Sequence, residues 1–132
     1  MTIDLTMLAW TVTFGLLLPP VHITGLTLIP NGFAWGLGNR SEPAPGELPW
    51  AQRARRAHAN LIENLLPFAA LVLIAHVSGK ANAMSGLGAQ LFFWGRIAYT
   101  VAYIAGLTPW RTVMFFVGQT GMMLILLAIL GS

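Results

Sequence analysis

From Leu5 to Ile29 the sequence carries no charged side chain. An α-helix needs about 20 apolar residues to cross the roughly 30 Å hydrocarbon layer of a bilayer, and this stretch is long enough. It has no basic residue ahead of it, Asp4 being the only early charge. It also outruns the roughly 7–15 apolar residues of a signal-peptide core, so it reads as a retained helix. The rest of the chain is consistent with a lipid environment. Only 8% of the 132 residues are charged, 56% are hydrophobic and the mean hydropathy is +0.71. A soluble domain has about 25% charged residues, so there is too little charge here to coat a globule. The net charge of +3 and pI near 10.2 come from seven basic residues in an apolar chain. Membrane topology accounts for them, and no nucleic-acid partner is expected. The absence of cysteine removes disulfides, thiolate-held metals and a protein thiol nucleophile.

The sequence predicts an all-α integral membrane protein, a four-helix bundle forming one domain over residues 1–132. The helices are expected at about 5–29, 49–77, 83–106 and 108–130. Pro19 and Pro20 are expected to kink the first, which neighbouring helices tolerate in a membrane. Pro30 to Pro49, rich in Gly, Pro and Asn, reads as a loop. Pro49 suits the first turn of the second helix, and Thr108-Pro109 suits an N-cap and first turn for the fourth. The first connection and the helix start beside it hold Arg40, Arg53, Arg55 and Arg56, and the third leads into Arg111. The second holds only Lys80. The positive-inside rule then places both termini on the non-cytoplasmic side. Minimal loops and the lack of cysteine point to a bacterial inner membrane.

The second helix carries an expensive polar stripe. Arg53, Arg56, Asn60, Glu63 and Pro67 fall within an arc of about 80° at helical spacing. Glu63 lies near the middle of its helix and Arg96 near the middle of the next. A charge at mid-bilayer costs about 2.5–3.5 kcal/mol on insertion scales, so such residues face the bundle interior and find partners. In an antiparallel hairpin, positions of equal depth have residue numbers of constant sum. Glu63 with Arg96, Asn60 with Tyr99 and Arg56 with Tyr103 satisfy that condition. Arg96, Tyr99 and Tyr103 also share a face. Glu63 and Arg96 are expected to form a structural ion pair, within one subunit or between two. Asn60 could bind a ligand or simply a neighbouring helix. Tyr99 and Tyr103 could line the interior or sit in an interfacial belt. Arg111 is unfavourably placed in the first turn of a helix, which favours a functional role over lipid-phosphate binding. His22, His58 and His76 show no metal-ligand spacing, and no metal site is expected. The sum is a cationic, hydroxyl-rich pocket open to the cytoplasm, suited to an anionic polar ligand beside lipid.

Three segments resemble the MAPEG family, membrane-associated proteins of eicosanoid and glutathione metabolism. They are Arg53 to Phe68 (RARRAHANLIENLLPF), Gly95 to Tyr103 (GRIAYTVAY) and Pro109-Trp110-Arg111-Thr112. The resemblance implies a homotrimer with glutathione at each subunit interface, open to the cytoplasm. On that reading Arg56, Asn60 and Glu63 hold the tripeptide's charged and amide groups, and Tyr99 and Tyr103 line it. Arg96 fixes Glu63. Arg111 sits by the sulfur as the catalytic residue, with Thr112 beside it. The implied activity is glutathione transfer to, or peroxide reduction of, a hydrophobic electrophile or lipid substrate drawn from the bilayer. The family's eicosanoid synthases carry an arginine at the end of helix one that has no counterpart here before Arg40. Ala59 likewise stands where one of them has arginine. A non-catalytic lipid-binding scaffold of the same family is the alternative. A channel is disfavoured because the stripe turns apolar beyond Glu63.

Overall fold

The structure, a computed structural model, describes residues 1–131. Every regular element among them is helical: α1 (Ile3–Thr27), α2 (Gly32–Leu37), α3 (Pro49–Val77), α4 (Ala83–Ala105) and α5 (Thr108–Leu130). The expected count of four is therefore corrected to four long helices and one short one. The extra helix, α2, lies inside the stretch read as loop. Its six residues are too few to show a periodicity, and Asn31 enters it in the left-handed conformation at φ 62°. The first helix also begins and ends two residues earlier than expected. Thr2 caps it, its hydroxyl accepting from the Leu5 amide, and the helix runs on through Pro19 and Pro20. Thr108 proves to be the first helical residue of α5 rather than its cap.

Three helices, α1, α3 and α5, are long and apolar enough to cross a membrane, as befits an integral membrane protein. The 29 residues of α3 extend about 43 Å, so its arginine-rich first turns overhang a roughly 30 Å hydrocarbon layer. The 23-residue α4 is long enough but carries Gln90, Arg96 and two tyrosines. It is also the most enclosed helix, with Arg96 only 1% exposed. Its polarity is tolerable because Arg96 is buried against α3 and α5, while the side chains it leaves exposed include Leu87, Trp94 and Val101.

Helix pairs are set by small residues. In lipid there is no hydrophobic drive between helices, so close backbone approach and dispersion must hold them. At Gly88 and Gly121 a Cβ on either residue would run into the other's carbonyl oxygen, and one on Gly95 would meet the Gly118 nitrogen at 3.1 Å. These contacts clamp α4 to α5, its most extensive partner. The two join through Gly106, whose φ of +78° suits glycine, and the Leu107 amide returns to the Ala102 carbonyl at 2.8 Å. α1 meets α3 in the same manner at Gly25, where a Cβ would collide with that of Ala51. Between the pairs lies a core of Phe68, Val72, Ala75, Ala89, Phe92, Met122 and Ile125. Phe68 and Phe92 stack there at 3.9 Å.

Candidate functional site

α4 and α5 bring four of the expected residues to one place. Tyr99, Tyr103, Arg111, Thr112 and Phe115 line an open cavity of about 280 Å³. Tyr99 and Tyr103 are four apart on α4 and meet edge to face at 5.6 Å. The tight turn at Gly106 folds α5 back so that the Arg111 guanidinium carbon lies 4.5 Å above the Tyr103 ring. One turn deeper, the Arg96 guanidinium lies 4.2 Å above the Tyr99 ring. The two cations are thus each held against a π face, a favourable arrangement when desolvated. Tyr99 is 5% exposed, whereas Thr112 is exposed and Arg111 half-buried.

The α3 stripe divides differently from the expectation. Arg53 is structural: its Nε donates to the Ile104 carbonyl at 2.9 Å, placing a cation at the C-terminus of α4. Asn60 accepts from an Arg96 NH2 group at 2.6 Å. The expected Glu63–Arg96 ion pair does not form within the chain; the ion pair among the described residues is Arg55–Glu47 at 2.8 Å. Arg96 finds its partner one helical turn earlier on α3, because the constant-sum argument fixes depth alone and ignores which face each residue presents. Glu63 and Arg56 are exposed on α3. They are not gathered into the Tyr103–Arg111 cavity, and a carboxylate halfway along a membrane helix requires cover.

Two residues absent from the expected set complete the interior. The Gln119 side-chain NH2 donates to the Asn64 carbonyl oxygen at 2.8 Å. Asn64 in turn donates to the Asn60 backbone carbonyl at 2.9 Å. A run of amides therefore ties α5 through α3 to Arg96 on α4. Asn64 was legible as the i+4 neighbour of Asn60, and Gln119 as an amide in an apolar membrane helix. The Arg96 Nε and the Thr100 hydroxyl remain buried without partners. His22 and His58 approach to 5.5 Å between ring centres on the α1–α3 side, away from this cavity.

The sequence pattern that defines the MAPEG family matches residues 6–131. The chain belongs to the MAPEG family. This MAPEG chain is 41% identical over 68 residues to microsomal glutathione S-transferase 1 of Homo sapiens, covering 51% of the chain and 44% of that relative. It is 38% identical over 68 residues to the Rattus norvegicus protein of the same name, with the same coverage. Prostaglandin E synthase of Equus caballus is 35% identical over 69 residues, covering 52% of the chain and 45% of the relative. The chain spans less than half the length of each of these relatives.

Proposed function

We propose that the protein is a glutathione-dependent membrane enzyme, a transferase, a peroxidase or both, acting on hydrophobic electrophiles. The observation that carries this reading is Arg111 poised over Tyr103 at the mouth of a cavity shared with Tyr99 and Thr112. The similarity to a glutathione S-transferase supports it.

The residues present fit glutathione. The tripeptide is anionic and rich in amides, and the cavity offers a guanidinium, phenolic rings and a hydroxyl. At about 280 Å³ the cavity of one chain is at the small end for a ligand pocket. Arg56 and Glu63, exposed on α3 and outside this cavity, supply the missing wall from a neighbouring copy. Each site is then built between subunits of a homotrimer, and Glu63 is covered by protein instead of lipid. All four long helices cross the bilayer, with both termini outside and the Arg111 end at the cytoplasm, as in a bacterial inner membrane.

Bound glutathione supplies the nucleophilic sulfur. A free thiol has a pKa near 8.5 and is mostly protonated at neutral pH. The Arg111 guanidinium beside the sulfur favours the thiolate in a low-dielectric cleft, and two pKa units of that effect correspond to about 2.7 kcal/mol. Thr112 offers a hydroxyl donor to the same atom. Arg96, held by Asn60, supports the Tyr99 ring from below. The released proton leaves through the open, cytoplasmic side of the cavity.

The test is conjugation of an aromatic halide with glutathione by purified protein, comparing wild type with Arg111→Ala. Wild type should exceed the spontaneous rate and the variant should lose most of that excess. If neither protein does so and neither binds glutathione in calorimetry, the enzyme reading fails.

A further inference from the structure

A second polar cavity lies at the other end of the bundle. Asp4, in the first turn of α1, is only 3% exposed, and its Oδ2 has no hydrogen-bond partner. It lines a cavity of about 410 Å³ with Thr2, Asn82, Gly86, Leu87 and Gln90. Gly86 forms part of its wall, where a Cβ would come into ordinary contact with Asp4 Oδ1 at 3.7 Å and with the Ile3 Cβ at 3.6 Å. Gly86 lies about 25 Å along α4 from Tyr103, so this cavity is separate from the Arg111 site.

A carboxylate removed from water needs a counter-charge or a donor. Among the described residues nothing donates to Asp4 Oδ2. Lys80, the cation of the adjacent turn, donates to the Ile129 carbonyl at 2.9 Å. The Thr2 hydroxyl accepts from Leu5, and the Asn82 side-chain oxygen accepts from Met84 and Ser85. What the cavity presents is one negative charge, a hydroxyl and the amides of Asn82 and Gln90. No cluster of three metal-ligating acids or histidines occurs among the described residues, so a multiply charged metal ion is poorly matched. A singly charged group with several N–H donors matches well.

We propose that the Asp4 cavity binds a primary ammonium group, whose N–H donors satisfy Asp4 and the Gln90 amide oxygen. Asp4 stands at the end of an apolar helix long enough to cross a bilayer, and when that helix spans, its end falls at headgroup depth. The ammonium can therefore come from an aminophospholipid headgroup or from a soluble amine. A quaternary ammonium is excluded, since it has no N–H and is bulkier.

The test uses purified protein in nanodiscs and in detergent. Lipid retention is read by native mass spectrometry with phosphatidylethanolamine against phosphatidylcholine. Thermal stability is read with methylammonium against tetramethylammonium. Wild type should retain phosphatidylethanolamine at least about tenfold over phosphatidylcholine, and Asp4→Asn should abolish the preference. Stabilisation by methylammonium alone, lost in Asp4→Asn, would keep the site and assign it to soluble amines. Gln90→Met, which leaves the carboxylate in place, should weaken the same preference and serves if Asp4→Asn does not fold. The proposal is overturned if wild type prefers neither primary-ammonium probe, or if the preference survives in these variants. Glutathione binding at the other end should be unchanged in both.

Discussion

The Asn60–Arg96 contact offers the sharpest test of how the interior is held. Arg96 is 1% exposed, and its bond to Asn60 is the side-chain hydrogen bond its guanidinium makes among the described residues, Nε being left without a partner. Asn60→Leu removes that acceptor and leaves a buried charge against the Tyr99 and Phe115 rings. Hydrogen bonds to charged groups are worth about 1.5–3 kcal/mol, and stranding a buried charge costs at the upper end of that range or beyond. Asn60→Leu should therefore destabilise by about 2–3 kcal/mol. Arg96→Met should cost about 1–2 kcal/mol, because it removes the charge together with its need for a partner. The double variant should be less destabilised than the sum of the two by about 1.5–3 kcal/mol. Equilibrium unfolding in mixed micelles, as a double-mutant cycle, measures this directly. Additivity within about 0.5 kcal/mol would refute the coupling. A parallel cycle with Glu63→Gln should show weaker coupling to Arg96. Stronger coupling there would mean that Arg96 answers to Glu63 of a neighbouring copy.

Three further outcomes follow from the packing and the site. Gly121→Ala drives a methyl group into the Gly88 carbonyl and should cost about 1–3 kcal/mol, whereas Gly46→Ala, with open space around it, should be near neutral in the same unfolding assay. Gln119→Leu removes the donor to Asn64 and should cost about 1 kcal/mol, with Arg96 left in place and glutathione affinity little changed. Arg111→Ala should return the thiol of bound glutathione towards its free pKa near 8.5, so that its ultraviolet thiolate absorbance develops about two pH units higher than in wild type.

The apolar runs made the long helices legible, since membrane length and breakers such as Pro49 and Gly106 mark their ends strongly. α2 escaped because a single turn and a half carries no period. In the site, the i, i+4 spacing of Tyr99 and Tyr103 and the turn before Arg111 sufficed to bring those residues together. The stripe on α3 was visible as a stripe, but its azimuth was not. Depth follows from counting residues, whereas rotation of one helix against another depends on small-residue contacts such as Gly25 on Ala51. That rotation gave Asn60, rather than Glu63, to Arg96. Asn64 and Gln119 carried polar signals of their own, yet nothing in the linear order tied residues on α3 and α5 to each other.

The glycine clamp between α4 and α5 bears on how this chain reaches its membrane. α4 alone falls short of the apolarity of α1, α3 and α5, and α5 beside it is strongly apolar. A membrane-insertion channel that tested helices one at a time would release α5 into lipid and hold α4 back. Docked through Gly88, Gly95, Gly118 and Gly121, the two present themselves as a single hairpin that exposes apolar side chains of both, Trp94 and Val101 as well as Phe116 and Leu127. On the proposed four-span arrangement Arg96 enters the bilayer as cargo of its neighbour, and a bulky residue at Gly88, Gly95 or Gly121 should show first as failed biogenesis rather than as lost activity.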